Sequence, residues 1–109
     1  MKSKRAKATD ISKSVREKVW ERDGGRCVIC GERYTAMPNM HYISRARGGL
    51  GIEENVVTGC MQCHNEYDNG GKLIENGNAI RAYLDRHYPD FPDEARVYHK
   101  YDTGLVVYG

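Results

Sequence analysis

Residues 27–31 read Cys-Val-Ile-Cys-Gly and residues 60–64 read Cys-Met-Gln-Cys-His, and these two segments decide the fold. Each holds two cysteines separated by two residues, a spacing that lets two sulfurs converge on one ion. Two disulfides or buried free thiols are the alternatives. The sequence predicts one structural zinc ion, closed to water because four thiolates fill its tetrahedral shell. The predicted ligands are Cys27, Cys30, Cys60 and Cys63.

The redox compartment favours zinc over disulfides. Residues 1–20 are polar and basic and lack the apolar stretch of a secretory signal. No run approaches the roughly 18–20 apolar residues that a transmembrane helix needs. We therefore expect a cytoplasmic protein with no membrane partner, in a compartment where cysteines bind metals more often than they form disulfides.

The segment between the cysteine pairs carries a second set of polar residues. His41 is followed seven residues later by Gly48-Gly49, then by Asn55, and His64 directly follows the last cysteine. This order resembles the HNH endonuclease family, whose usual pattern is Cys-x-x-Cys, His, Gly-Gly, Asn, then Cys-x-x-Cys-His. The resemblance covers about residues 14–69 and implies an α+β fold, a small zinc-stapled ββα-metal (His-Me finger) core.

The resemblance implies a role for each of these residues. His41 is the general base that activates a water, and Asn55 holds the hairpin loop and orients the His41 imidazole. His64 binds a catalytic divalent metal, Mg²⁺ or Mn²⁺. Asp68 lies four residues after His64, on the same face of a helix, so it could supply a second metal ligand or be an ordinary surface residue.

The chain departs from the family pattern immediately before the base. Many members carry Asp or His there as a metal ligand, whereas this chain has Met40. A thioether is a poor ligand for a hard divalent ion. The metal would then depend on His64 and Asp68, with Glu53 and Glu54 as candidates for a compensating carboxylate.

Charge is distributed unevenly along the chain. Residues 1–47 hold 12 Lys and Arg against 5 Asp and Glu, whereas residues 48–109 hold 5 against 10. A basic front half favours a polyanionic partner such as DNA, although solvated surface charge is the alternative. The candidate phosphate-binding residues are Lys4 and Arg5 in the basic segment and Arg45 and Arg47 beside the glycine pair.

Hydrophobic spacing predicts a single domain over residues 10–109, preceded by a flexible basic arm over residues 1–9. An N-terminal helix starts at Ser12 or Ser14, with a capping box from Ser14 to Glu17. The core covers about residues 14–69, and residues 70–109 form a helical and extended C-terminal extension. The remaining predicted elements are strands at 36–44 and 55–58, helices at 60–68 and 76–88, and extended segments at 97–101 and 105–108.

The function that this pattern predicts is hydrolysis of DNA phosphodiester bonds, with nicking or low sequence specificity. The short format resembles HNH proteins encoded by phages and prophages, acting in a bacterial host cell. One alternative is a zinc-stabilised DNA-binding module that no longer cuts, because Met40 replaces the usual metal ligand. Another is a protein-interaction module that uses the acidic half. Monomer and homodimer both remain open.

Overall fold

An antiparallel hairpin forms the centre of the molecule. The computed structural model of the protein describes residues 3–99. Strand β1 (Met37–His41) pairs with strand β2 (Val56–Gly59), with Met40 opposite Val57 and a register irregularity between Met37 and Met40. Both predicted strands are confirmed, although the first is shorter than expected. The hairpin, with the helices around it, makes the described residues an α+β fold.

The helix before the cysteines packs on the hairpin. Helix α2 spans Lys13–Asp23, and its N-cap is Ser12, whose hydroxyl accepts a hydrogen bond from the Val15 N–H. The predicted capping box at Ser14 is therefore wrong, because the helix begins two residues earlier. Gly24 ends the helix in the left-handed conformation that glycine adopts without strain.

Two adjacent side chains at the end of α2 fasten it to β2. The Asp23 carboxylate accepts a 2.7 Å hydrogen bond from the Thr58 N–H, and the Tyr83 hydroxyl donates to it at 2.5 Å. The Arg22 guanidinium donates to the carbonyls of Glu53 and Val56. These contacts hold the hairpin loop and its second strand in a fixed position.

The hydrophobic core lies between the hairpin and two later helices. Helix α3 spans Met61–Asp68 and helix α4 spans Leu73–His87, so both predicted helices are confirmed, the second starting three residues early. The two pack against each other across the back of the sheet. The central buried cluster contains Met40, Val57, Tyr67, Ile80 and Leu84.

The N-terminal basic segment is ordered. Residues Lys4–Thr9 form helix α1, which is capped by the Ser3 hydroxyl, and Thr9 is buried. A helix thus stands at residues 4–9, where the sequence predicts a flexible arm. A six-residue helix gains little from its own hydrogen bonds. Tertiary contacts such as the 2.8 Å bond from Arg5 to the Ala46 carbonyl hold it in place.

The C-terminal extension closes over the hairpin loop. After a short 3-10 turn at Asp93–Arg96, residue Val97 bridges to Gly49. The fully buried Arg96 donates to the carbonyls of Glu54 and Phe91. The predicted segment 97–101 is described only to residue 99, and the segment 105–108 lies outside the described residues. Among residues 3–99, no helix has the length and apolar character needed to cross a bilayer.

Candidate functional site

The four cysteines converge into one cluster. Their sulfurs all lie within 4.8 Å of one another, and the Sγ atoms of Cys30 and Cys60 are 3.6 Å apart. Sulfurs bound to one tetrahedral zinc at 2.3 Å are about 3.8 Å apart. All four are free thiols, so the disulfide alternative does not fit this arrangement. The cluster could hold a metal ion such as zinc, as the spacing predicts.

The backbone around the cluster favours one thiolate in particular. Burial disfavours the charged form of Cys27, but N–H groups of Cys30, Cys60 and Ile29 donate to its sulfur and lower its pKa to about 7. Gly31, in the left-handed conformation, lets the chain turn back over the sulfur. These N–H donors come from both cysteine-containing segments, residues 27–31 and 60–64. The folded backbone therefore already stabilises negative charge where a cation would bind.

Cys60 and Cys63 would need a nearby cation in order to become thiolates. Burial raises the pKa of Cys60 and Cys63, and the charge at Cys27 raises both further. Thiols that crowd together cannot all ionise unless a positive ion compensates them. A bound divalent metal supplies that compensation and deprotonates a coordinating thiol outright. The donor set therefore fits a metal better than it fits four reduced thiols.

A separate cleft of about 690 Å³ opens beside the hairpin. His41 reaches it from the end of β1, and His64 and Asp68 reach it from α3. The structure thus brings together three of the residues that the sequence singled out. A cleft of this size accommodates a small-molecule-sized group, since ligand pockets range from about 300 to 1,000 Å³.

His41 is held tightly at the inner wall of this cleft. Its residue is only 7% exposed, and its Nε2 atom lies 2.9 Å from the Thr9 carbonyl oxygen. A carbonyl can only accept, so Nε2 carries the proton and Nδ1 is the unprotonated nitrogen. Burial lowers the pKa of His41 below its usual 6.5, and the nearby Arg45 and His64 lower it further. The hydrogen bond to Thr9 and the charge of Asp68 act in the opposite direction and raise the pKa. The imidazole is therefore neutral at pH 7.

His64 and Asp68 form a pair on one face of α3. The Nε2 atom of His64 lies 3.0 Å from a carboxylate oxygen of Asp68, and both side chains are partly exposed at 31% and 42%. Their spacing of four residues places them side by side, as the sequence predicts. Two potential metal-binding atoms therefore sit together at the mouth of the cleft.

Asn55 holds the hairpin loop from inside. It is fully buried, and its amide oxygen accepts from the Ile43 N–H at 2.9 Å. Its amide nitrogen donates to the carbonyls of Ile43 and Leu50. The His41 ring instead donates its hydrogen bond to the Thr9 carbonyl, so Asn55 influences the imidazole only through the backbone after His41.

The residues raised as substitutes for a missing ligand do not face the cleft. Met40 is fully buried in the hydrophobic core, on the opposite face of β1 from His41. Glu53 and Glu54 are half-buried in the hairpin loop, where Arg22 and Arg96 bind their backbone carbonyls. Neither glutamate is among the described residues that line the cleft.

The candidate phosphate-binding residues occupy different places. Arg45 lines the cleft and forms an ion pair with Asp10. Arg5 donates hydrogen bonds to the backbone carbonyls of Arg45 and Ala46. Arg47 is exposed on a second hollow, away from His41, and Lys4 is exposed on α1. Of the four candidates, only Arg45 lines the cleft that contains His41 and His64.

Arg16 and Asn39 are among the residues of the cleft that sequence reasoning did not single out as site residues. Arg16 reaches it from α2, and Asn39 reaches it from β1. The position of Asn39 carried a usable signal, because residues two apart on a strand share a face and Asn39 is two residues before His41. The family resemblance covers Arg16, but nothing in its position on α2 indicated that it would line the cleft.

Comparison with protein-family models, with curated proteins and with solved structures gives no match for this chain. The structure itself defines the class at a coarser level. The chain is a small α+β protein with a two-stranded antiparallel sheet and a four-cysteine cluster that could bind a metal ion.

Proposed function

We propose that this chain is an HNH-type, metal-dependent endonuclease that hydrolyses DNA phosphodiester bonds. The observation that carries the proposal is that His41, at the end of β1, lines one solvent-accessible cleft together with His64 and Asp68 on α3. The order β1, β2, α3 along the chain agrees with the ββα-metal core that the sequence resembles. The four-cysteine cluster anchors both ends of the hairpin segment, which fits a structural zinc ion.

The pair on α3 is suited to a catalytic divalent ion. Two adjacent ligands of an octahedral Mg²⁺, at about 2.1 Å from the metal, lie about 3 Å apart. The His64 and Asp68 atoms are 3.0 Å apart. When bound there, Mg²⁺ or Mn²⁺ would polarise the phosphate and neutralise charge on the leaving oxygen. Water and phosphate oxygens would complete its coordination.

His41 has the properties of a general base at neutral pH. Its lowered pKa keeps the ring unprotonated on one nitrogen, and the Thr9 carbonyl holds the other nitrogen in place. In the proposed mechanism, Nδ1 takes a proton from a water that attacks the phosphorus. Asn55 keeps the loop beyond His41 in one conformation, which preserves the direction of the ring.

The charges beside the cleft favour a phosphodiester backbone as substrate. Arg16 and Arg45 line it, and arginine binds phosphate oxygens through its planar fork of donors. Contacts of this kind position a nucleic acid without reading its bases. We therefore propose nicking or cleavage of low sequence specificity, with DNA as the partner.

A plasmid-nicking assay tests the proposal. Zinc-loaded protein is incubated with supercoiled plasmid and either Mg²⁺ or Mn²⁺, and conversion to the open-circular form is measured. Replacing His41 with Ala should reduce the rate by about 100-fold or more. His87→Ala is the matched control, since His87 is exposed on α4 and should be dispensable. Equal nicking by wild type and a folded, zinc-containing His41→Ala variant would refute the proposal.

The second candidate is a zinc-stabilised DNA-binding module with weak or no catalysis. The observation that favours it is the position of Met40, which leaves β1 without the acidic or histidine ligand of the family pattern. The same assay separates the two candidates. Salt-sensitive DNA binding without nicking in either metal would support the binding module.

A further inference from the structure

Asn39 carries a buried oxygen with no partner. Its Oδ1 atom is shielded from solvent, yet no described group donates a hydrogen bond to it. Burying an amide oxygen without a partner costs free energy, and buried polar atoms in folded proteins are nearly always satisfied. The residue itself is only half-buried, so its side chain is within reach of a species that enters from solvent.

The position of Asn39 shows which kind of species could reach it. Asn39, His64 and Asp68 line the 690 Å³ cleft, and the same three residues line a third hollow of about 330 Å³. The three side chains therefore form the partition between the two spaces. An ion held by His64 and Asp68 would lie in that partition, next to the amide of Asn39.

Strand geometry explains why position 39 can replace position 40. Side chains alternate across a strand, and in β1 the side chain of Met40 enters the core while those of Asn39 and His41 line the cleft. A metal ligand at position 40 would be turned away from His64. The residue of β1 that shares the cleft with the proposed base is two positions before it.

We propose that Asn39 Oδ1 is the third protein ligand of the divalent cation held by His64 and Asp68. An amide oxygen is a hard donor of the kind that Mg²⁺ and Mn²⁺ accept, and it adds no charge to the site. The inference rests on the proposed function, because it assumes the cation site on α3. Strand β1 would then supply a metal ligand through Asn39, because Met40 cannot serve as one.

Manganese binding tests the inference without any cleavage reaction. Protein whose cysteine cluster is loaded with zinc is titrated with Mn²⁺, and free Mn²⁺ is followed by electron paramagnetic resonance. Asn39→Ala should weaken the Kd by about 10-fold or more, as loss of a coordinating or supporting group typically does. Asn39→Asp keeps an oxygen and adds charge, so it should bind Mn²⁺ at least as tightly as wild type. Asn78→Ala, at an exposed position on α4, should change nothing.

A second measurement does not depend on any variant folding. Diamagnetic Mg²⁺ should shift the side-chain amide resonances of Asn39 in the wild-type protein and leave those of Asn78 in place. An unchanged Kd in Asn39→Ala, unshifted Asn39 resonances at saturating Mg²⁺, or no Mn²⁺ binding by wild type would each overturn the inference. An unchanged Kd would indicate that a water molecule satisfies Oδ1 instead.

The outcomes separate this inference from the proposed function. Nicking by wild type together with unchanged Mn²⁺ affinity in Asn39→Ala would leave the nuclease in place and remove Asn39 from the metal site. Weakened Mn²⁺ binding in Asn39→Ala together with no nicking by wild type would support the ligand and refute the nuclease.

Discussion

The Nε2 atom of His41 lies 2.9 Å from the carbonyl oxygen of Thr9, so a helix outside the hairpin fixes the ring of the proposed base. This contact crosses 32 positions of sequence and links α1 to the cleft that contains His41 and His64. The segment that supplies it has no hydrophobic periodicity. The helix therefore contributes to the site through its backbone rather than through its basic side chains.

The tautomer of His41 is the first prediction. Because the Thr9 carbonyl can only accept, Nε2 should carry the proton and Nδ1 should be unprotonated at pH 7. Long-range proton–nitrogen correlation spectra of the imidazole distinguish the two nitrogens. His87, whose residue is exposed on α4 and whose ring packs against Tyr83, serves as an internal comparison. A protonated Nδ1 in His41 would contradict the proposed base.

The pH dependence of cleavage follows from the lowered pKa of His41. A general base acts when it is unprotonated, and burial shifts the pKa of His41 below 6.5. The rate should rise with pH through a midpoint below 6.5 and be level above pH 7. Measurement of nicking rates between pH 5 and 8 checks this. A midpoint above pH 7 would show that another group controls the acidic limb.

Loss of the cysteine-bound metal should unfold the domain. Cys60→Ser removes one of the four sulfurs, and binding energy at such a site is folding energy. We expect the helical circular dichroism signal and the bound zinc to fall together. Chelation of wild type should have the same effect, and added Zn²⁺ should reverse it. A zinc-free protein with an intact spectrum would show that the cluster is not structural.

Asn55→Ala should lower the free energy of unfolding by about 2–4 kcal/mol. The fully buried amide makes three hydrogen bonds to the backbone, and its removal leaves the Ile43 N–H and two carbonyls unpaired. Urea unfolding of zinc-loaded protein measures the change. Asn78→Ala, at the surface, should stay within about 0.5 kcal/mol of wild type. Equal midpoints for the two variants would mean that the loop does not need Asn55.

Met40→Asp should destabilise the fold without improving metal binding. Met40 is fully buried among Val57, Tyr67 and Ile80, so a carboxylate there has no water and no partner. We expect a loss of about 3 kcal/mol or more, against less than about 1.5 kcal/mol for Met40→Leu. Thermal unfolding and Mn²⁺ titration check both statements. Tighter Mn²⁺ binding in Met40→Asp would place residue 40 at the cleft instead of in the core.

The sequence is most informative where spacing alone imposes geometry. The two Cys-x-x-Cys pairs predict a cluster, and their sulfurs converge. Strand and helix positions follow from alternation and from the glycines that end elements. The pairing of His64 with Asp68 follows from helical periodicity. The elements and the His64–Asp68 pair are local, so neighbouring positions on the chain are enough to define them. The two cysteine pairs are distant in sequence, and what links them is that one tetrahedral ion takes four sulfurs.

Contacts between distant segments are what sequence reasoning could not supply. Arg96 resembles a solvated surface charge in the sequence, yet it is fully buried and binds the hairpin loop. Helix α1 is stabilised by Arg5 and by Thr9, which meet partners more than 30 positions away. The face of β1 that meets the core was also undetermined, so the exclusion of Met40 from the cleft could not be foreseen.

Cys60 belongs to two structures at once. Its sulfur is part of the cysteine cluster, and it also caps α3 by accepting the Cys63 N–H at 3.3 Å. The N-cap of α3, the helix that carries His64, is therefore the Cys60 sulfur, and a bound metal ion would set the position of that sulfur. Exchanging zinc for a larger thiophilic ion such as Cd²⁺ would shift that starting point and tilt His64 relative to His41, with every amino acid unchanged. The fold thus couples the radius of one ion to the geometry of the cleft beside it.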